Sequence, residues 1–384
     1  MNTRRLSIIA AVIILVAIFA LYYHSGQGTK ATIKIGQMSG LTGVGSNIGV
    51  EERNGALLAV EEINAAGGIS GMHLELISED TPPFDAKKGA SVAQKLIAID
   101  HVAAIVGPQW DEQGEIMATI SAQQKVPVVS QNVSTDIESE IGSPYFFETW
   151  PDDEVGIRAV LKYAQLRGWN RIAIVQPANF SFWLFTSNLF EKDAPEYGIT
   201  VVAKQMGTDF GNADYRTLIS KVKSAQPDAF FGTYENLECV FLKQAREQGM
   251  SIPLLSTDSA LNIKAIEDCG NELQDRLYFS TLNRDNGFEQ FASRYEARFG
   301  QKPLVSSAAT SYNAVLVLAD VMKKLVASGQ EINRENIRAG LVTEKFEGGV
   351  STRTIQFNEK GFVITGPDTF EMQTVKDEKF VKAE

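Results

Sequence analysis

Residues 62–79, EINAAGGISGMHLELISE, carry the chain from the end of a predicted helix into a predicted strand. Apolar residues recur at helical spacing over Gly49–Ala65, and Ala66-Gly67-Gly68 ends that helix because glycine readily adopts the left-handed conformation of helix C-termini. A strand is predicted over Leu74–Glu79, and a β-rich run over Thr32–Gln37 precedes the helix. The order strand, helix, strand predicts a βαβ unit with two parallel strands.

The same alternation continues along the chain. Further helices are predicted at 87–98, 114–123, 154–167, 183–191, 215–225, 237–248, 288–299 and 306–327, and further strands at 102–106, 126–130, 171–175, 200–205, 229–233, 254–257, 353–357 and 363–374. A second α/β unit begins near residue 150, at Trp150-Pro151. No low-complexity linker separates the two units, which predicts a short structured hinge between them. The pattern therefore predicts an α/β protein with mostly parallel sheets.

The N-terminus has the pattern of an export segment. Arg4 and Arg5 precede a nearly unbroken apolar run from Ile8 to Tyr23, and the next charged residue is Lys30. We interpret residues 1–28 as an export signal or membrane anchor, and whether it is cleaved stays open. Either alternative places the rest of the chain in the periplasm or on the outer face of the cytoplasmic membrane.

Composition and charge exclude several function classes. The chain has 384 residues, of which 44% are hydrophobic and 22% charged, so a globular fold with a large core is expected. The formal net charge of -11 argues against nucleic-acid binding, which needs clustered lysine and arginine. The two cysteines, Cys239 and Cys269, form no Cys-x-x-Cys pair and predict no zinc site. In an exported chain they either form one disulfide or remain two separate buried thiols.

The sequence contains no recognisable catalytic motif. There is no P-loop, no Gly-x-Ser-x-Gly elbow and no His-Glu-x-x-His helix, and Gly43–Gly49 misses the dinucleotide-binding glycine spacing by one residue. One of the three histidines, His24, lies in the N-terminal segment, so the rest of the chain has few histidines that could act as a general base. We therefore expect no enzyme activity, no catalytic residues, no metal site and no cofactor.

Candidate ligand-binding residues follow the predicted strands, because ligands of open α/β sheets bind at the carboxyl ends of the strands. The strand-end segments are 38–40, 107–111, 131–134, 176–182, 233–235 and 257–258. They are rich in aromatic, hydroxyl and acidic side chains and contain no lysine or arginine. This composition suits a small polar ligand with a cationic group and some apolar surface.

Several ordered motifs resemble the leucine/isoleucine/valine-binding branch of the periplasmic binding proteins, the substrate-binding proteins of ABC transporters. The most specific is Ile63-Asn64-Ala65-Ala66-Gly67-Gly68-Ile69-Ser70-Gly71. The others are Ile35–Gly40, Gly55-Ala56, Ala104–Pro108, Arg171–Val175, Lys243–Arg246 and Phe357–Gly361. They run in the family's order over residues 31–374.

The resemblance implies a type I periplasmic binding fold, in which two similar Rossmann-like lobes are joined by a three-crossing hinge and close around the ligand. We expect crossings near 147–151, 277–282 and 349–354. Lobe 1 then comprises residues 31–148 and 280–350, and lobe 2 comprises residues 149–279 and 351–384.

The resemblance also implies roles for individual residues. Asp258 lies where the family's acid binds a ligand ammonium, Tyr234 matches a pocket tyrosine, and Ser134 matches a hydroxyl that contacts the ligand carboxylate. Asp111 departs from the pattern, since the family has a carboxylate-binding serine there and an ionised aspartate donates no hydrogen bond. The expected ligand-binding set is Gln109, Trp110, Asp111, Asn132, Ser134, Phe180, Ser181, Tyr234 and Asp258.

Each assignment has a structural alternative. Asp111 equally fits a cap or first-turn charge of the helix after it, and Asp258 fits the cap of a short helix. Trp110 and Tyr234 fit ordinary core or rim positions, and Phe180 fits packing between the lobes.

The implied function is an extracytoplasmic solute-binding protein of an ABC importer, acting as a monomer with a membrane permease as partner. If Asp111 caps a helix, the ligand is a branched-chain or other neutral amino acid, whereas an Asp111 that faces the cleft favours a small amide or amine. The alternatives are a ligand-binding sensor or receptor ectodomain without transport and, third, an enzyme that uses the acidic cleft.

Overall fold

The computed structural model describes residues 31–43, 45–82, 85–108, 110–131, 142–177, 181–207, 214–233, 238–260, 269–284, 287–304, 306–366 and 368–384. The expected export segment, residues 1–28, lies outside these ranges. Within them, no helix is long and apolar enough to cross a membrane.

The first sheet and its helices come mainly from the N-terminal part of the chain. Its elements are β1 (Thr32–Ser39), α1 (Ser46–Ala65), β2 (His73–Asp80), α2 (Ala86–Ala98), β3 (Ala104–Val106), α3 (Asp111–Gln124), β4 (Val128–Ser130) and β5 (Phe146–Glu148). The strands are parallel and lie in the order β2-β1-β3-β4-β5. This sheet with its helices forms the first lobe.

The second sheet forms the second lobe. Its elements are α4 (Asp153–Leu166), β6 (Arg171–Pro177), α5 (Ser181–Asp193), β7 (Thr200–Gly207), α6 (Arg216–Lys223), β8 (Ala229–Phe231), α7 (Glu238–Glu247), β9 (Leu254–Ser256) and β10 (Leu277–Leu282). The strand order is β14-β13-β10-β9-β8-β6-β7, in which β13 (Phe370–Lys376) and β14 (Lys379–Lys382) add antiparallel strands at one edge. The expectation of two α/β lobes with mostly parallel sheets is confirmed.

The chain returns to the first lobe after β10. It forms α8 (Phe288–Phe299), α9 (Ser307–Ala327), α10 (Arg334–Thr343) and a small hairpin of β11 (Phe346–Glu347) and β12 (Thr354–Ile355). Helix α9 packs so closely on α1 that a Cβ at Gly55 would lie 2.1 Å from the carbonyl oxygen of Ala308. This contact lies in the main apolar core of the lobe.

Sheet membership locates the passages between the lobes. The chain leaves β5 for α4 through residues 149–152, leaves β10 for α8 through residues 283–287, and reaches β13 after residue 363. Residues 277–282, where a crossing was expected, instead form β10, which is buried along its whole length because strands flank it on both sides. Ile355, Phe357 and Val363, which follow the expected third crossing, pack in the core of the first lobe.

Cys239 and Cys269 form a disulfide with their Cα atoms 5.6 Å apart. The bond ties the first turn of α7 to the short turn at Gly270–Glu272 in the second lobe. Of the two alternatives that the sequence left open, the disulfide is therefore the one present.

Candidate ligand-binding cleft

Buried hydroxyl groups lie at or just after the carboxyl ends of the parallel strands. They belong to Ser39 and Thr81 in the first lobe and to Thr233 and Ser256 in the second. Each of these residues is at most 1% exposed, and its hydroxyl has no hydrogen-bond partner among the described residues. Because buried polar groups in folded proteins are nearly always paired, these hydroxyls indicate an edge suited to polar ligand atoms.

The turn after β3 sets Trp110 against the start of α1. Gly107 has a φ of 105°, and a Cβ there would lie 2.3 Å from the carbonyl oxygen of Met38, so the turn needs glycine where it passes β1. A Cβ at Gly45 would lie 2.5 Å from the Trp110 ring, which places the ring directly on the residue that precedes α1. Trp110 is partly buried there, a position that suits a rim aromatic as well as a pocket residue.

Asp111 begins helix α3 and is 8% exposed. It is not the cap, because Trp110 holds that position and makes no side-chain capping bond. A carboxylate in the first turn is stabilised by the helix dipole, so the role as a first-turn charge fits the structure. The charge of Asp111 also raises the pKa of Asp153 in the other lobe, so a helix-start position and a position facing the cleft are compatible.

Asp153 is a buried carboxylate that the sequence analysis missed. It lies in the first turn of α4, directly after the first passage between the lobes, and is 8% exposed. The indole Nε1–H of Trp150 donates to its Oδ1 at 3.1 Å, while its Oδ2 has no hydrogen-bond partner among the described residues. Burial raises the pKa of Asp153 well above its ordinary value, the Trp150 bond opposes this shift, and the charges of Asp111 and Asp258 add to it.

Asp258 starts a short 3-10 turn, Asp258–Ala260, after β9. Although the residue as a whole is only partly buried, burial of its carboxyl raises the pKa to about 7. Its own backbone N–H, the charge of Arg284 and the backbone N–H of Ser259 oppose that shift. The alternative role at the start of a short helical turn is thus compatible with a carboxyl whose charge acts on Asp153.

Arg284 is the cation that acts on Asp258, and it is held within the second passage between the lobes. Its Nη2 donates to the carbonyl oxygen of Leu304 at 2.7 Å, and its guanidinium lies 4.7 Å from the centre of the Phe288 ring. Burial lowers its pKa, against the charges of Glu371, Glu289, Glu51 and Asp258. Several acids therefore share the charge of Arg284, which leaves the cleft acids incompletely neutralised.

The structure links three acids of the two lobes electrostatically, since Asp111 and Asp258 both act on Asp153, and two of the three belong to the expected set. Asp111 and Asp258 were expected, whereas Asp153 was not. Of the other expected residues, Trp110 lies beside Asp111, and Ser181 is the first residue of α5, with its side chain outside the description. Gln109, Asn132, Ser134, Phe180 and Tyr234 lie outside the described residues, so their roles stay predictions.

The three acids do not form a metal site. Among the described residues, no group of three or more His, Cys, Asp or Glu side chains is arranged to hold a metal ion. The cleft therefore offers separate carboxylates, each able to accept hydrogen bonds from an organic cation.

Two α/β lobes, with acids of both lobes that interact electrostatically, fit the class of two-lobed ligand-binding proteins. Residues 32–376 match the family described as "Periplasmic binding protein", so the chain belongs to that family.

Individual proteins are similar to the chain over most of its length. The chain is 26% identical over 367 residues to the leucine-, isoleucine-, valine-, threonine-, and alanine-binding protein of Pseudomonas aeruginosa, covering 94% of this chain and 93% of that one. In fold it is similar to the branched-chain amino acid transporter substrate binding protein LivJ from Streptococcus pneumoniae in complex with isoleucine (TM-score 0.78, 24% identity, 92% of this chain and 100% of that one). It is also similar to a solute-binding protein from R. palustris in complex with benzoate (TM-score 0.76, 17% identity, 92% of this chain and 95% of that one).

Family membership decides two of the expectations. The relatives are solute-binding proteins, so the expectation of no enzyme activity is confirmed. The family also indicates an extracytoplasmic location.

Proposed function

We propose that the chain is the solute-binding component of an ABC importer, which encloses a small ligand between its lobes and delivers it to a membrane permease. The observation that carries this proposal is the cleft itself, where Asp111 of the first lobe acts electrostatically on Asp153 of the second. Ligand groups bound between such residues contact both lobes and so favour the closed arrangement.

The ligand class follows from the cleft and from the relatives. Carboxylates accept hydrogen bonds from ammonium groups, and buried hydroxyls at the strand ends can bind further polar atoms. The printed names of relatives include a leucine-, isoleucine-, valine-, threonine-, and alanine-binding protein and a complex with isoleucine. We therefore expect a branched-chain or neutral amino acid, or a related small amide or amine, bound by a monomer.

Binding and transport are tested separately. Calorimetric titration of the full chain, purified in mild detergent, with neutral amino acids, short amides and amines is expected to give one site per chain. Cells that lack the gene should then take up the bound compound more slowly, and the restored gene should recover uptake. Binding with unchanged uptake would contradict the importer role and favour a sensor or receptor ectodomain.

A further inference from the structure

We infer that the ligand is a small organic cation without a carboxylate group, an alkylamine or alkylguanidine, whose charged group is held by the buried carboxyl of Asp153. This inference rests on the proposed function and narrows its ligand class. It depends on three features of the cleft: the charge balance, the unpaired oxygen of Asp153 and the geometry of an amino acid.

Among the described residues, the acids around Asp153 outnumber the cation that acts on them. The charges of Asp111 and Asp258 act on Asp153, and the described cation that acts on Asp258 is Arg284. Arg284 also faces Glu371, Glu289 and Glu51, so its single positive charge is shared among several acids. A net positive ligand reduces this excess of negative charge, whereas a zwitterion leaves it unchanged.

The geometry of Asp153 indicates a ligand independently of the charges around it. Its side chain is more than nine-tenths buried, and the Trp150 indole fixes its Oδ1. Its Oδ2 is buried without a hydrogen-bond partner among the described residues, on a carboxyl group that the charges of Asp111 and Asp258 both reach. A buried carboxyl oxygen without a hydrogen-bond partner is costly. An ammonium or guanidinium group favours the ionised form of Asp153 and supplies a charge-assisted donor to this oxygen.

The geometry of an amino acid is unfavourable at such a site. Its carboxylate and ammonium are attached to the same carbon, so an ammonium placed between these acids brings the carboxylate close to at least one of them. Burial raises the pKa of Asp153 and of Asp258, and a bound ammonium favours their ionised forms. Ionised aspartates accept hydrogen bonds and donate none, so they repel that carboxylate. A neutral amide avoids the repulsion but leaves the acids without a counter-charge.

The apolar part of the ligand has one aromatic residue available in the first lobe. Trp110 precedes Asp111 and is only partly buried, whereas Trp150, whose indole bonds Asp153, is 3% exposed and packs on Phe370. Aromatic faces bind both alkyl chains and cations. An alkyl chain that carries one cationic end group therefore suits Trp110 together with the acids.

Matched pairs that differ by the carboxylate test the inference directly. We would titrate the full chain calorimetrically at pH 8 with 3-methylbutylamine against leucine, 1,5-diaminopentane against lysine, and agmatine against arginine, with 3-methylbutanamide as the uncharged probe. The amine or guanidine of at least one pair is expected to bind at least tenfold more tightly than its amino acid. Equal or tighter binding of the amino acids, or binding of the amide alone, overturns the inference.

Failure of the inference is distinguishable from failure of the proposed function. If none of these compounds binds, the assignment to a cationic ligand is wrong. The importer role is then tested separately, by whether uptake of the compound that the chain does bind depends on the gene. If an amino acid is the tightest ligand and its uptake depends on the gene, the proposed function holds and only the cationic class is overturned.

A variant pair identifies the residue that holds the cation. Asp153→Asn keeps the shape of the side chain and removes its charge, and we expect it to weaken binding of the amine at least tenfold. Asp377→Asn is the matched control, since Asp377 is exposed in the turn between β13 and β14 and should bind as the parent does. Unchanged binding by Asp153→Asn would show that Asp153 does not hold the cation. If Asp153→Asn does not fold, amine binding by Asp111→Asn is measured in its place.

Discussion

Asp258 shows how one buried carboxyl makes stability depend on pH. Its pKa in the folded protein is about 7, because burial of the carboxyl outweighs its backbone hydrogen bonds and the charge of Arg284. An aspartate in an unfolded chain has a pKa of about 3.9. The folded state therefore keeps the Asp258 proton over a range of pH in which the unfolded chain has already lost it. The stabilisation from this proton is complete below pH 4 and is lost as the pH rises to about 7.

Replacement of Asp258 by asparagine removes that titration. We expect the free energy of unfolding of Asp258→Asn, minus that of the parent, to rise between about pH 4 and pH 7 by on the order of 1 kcal/mol per pH unit, and then to stay level. Urea unfolding of both ligand-free proteins at several pH values measures this difference in the free energy of unfolding. Glu296→Gln, on the exposed face of α8, should show no such rise. A flat difference for Asp258→Asn as well would mean that the carboxyl is ionised throughout the range.

At the scale of elements, the alternation of apolar runs predicted most of the helices and strands, because burial on one face leaves a periodic trace in the sequence. Helix α9 was predicted at 306–327 and occupies Ser307–Ala327. The run at 277–282 was expected to be a crossing, yet its buried position between β9 and β13 depends on strands from distant parts of the chain. The helix α10 was missed, since few of its residues are buried and its apolar pattern is correspondingly weak.

Gly55 gives a prediction about helix packing. Alanine is normally more favourable than glycine within a helix by about 1 kcal/mol, so propensity alone favours Gly55→Ala. The added Cβ would lie 2.1 Å from the carbonyl oxygen of Ala308, a backbone atom of α9 that can move only with its helix. We expect this overlap to decide the sign and to destabilise the protein by about 1–3 kcal/mol. Thermal and urea unfolding measure the change.

The control for Gly55→Ala is a glycine with open space around it. Among the described residues, apart from its chain neighbours, none has an atom within 4 Å of a Cβ built at Gly366, and its φ is not positive. Gly366→Ala should therefore change the free energy of unfolding by less than about 1 kcal/mol. A Gly55→Ala variant as stable as the parent would show that α1 and α9 separate at little cost.

At the scale of the whole molecule, the candidate site was less predictable than the fold. Asp258 and Asp111 were found because they follow strands, and the ends of strands can be located in a sequence. Asp153 follows a passage between lobes, and its importance depends on Asp111 and Asp258, which lie 42 and 105 residues away in the sequence. No local sequence pattern predicts that residues so far apart in the chain interact. The local sequence feature associated with Asp153 is Trp150, three residues earlier, whose indole N–H donates a hydrogen bond to the Asp153 carboxyl.

The passages between the lobes lie side by side, which favours closure about a single hinge. The backbone N–H of Asn283 in the second passage donates to the carbonyl oxygen of Thr369 in the third at 2.8 Å. The backbone N–H of Glu148, directly before the first passage, donates to the carbonyl oxygen of Gly361, shortly before the third, at 2.9 Å. Bending at adjacent segments rotates one lobe against the other while both cores stay intact. A ligand that contacts acids from both lobes stabilises the closed arrangement by its differential affinity.

Closure predicts a joint change in shape and stability. At about 1,000 times its dissociation constant, the ligand should raise the free energy of unfolding by about 4 kcal/mol and lower the radius of gyration seen by small-angle X-ray scattering. Asp153→Asn at the same ligand concentration should show neither change, because its buried side chain no longer attracts the ligand cation. Stabilisation of the parent with an unchanged radius of gyration would contradict closure, since the ligand would then bind to lobes that are already closed.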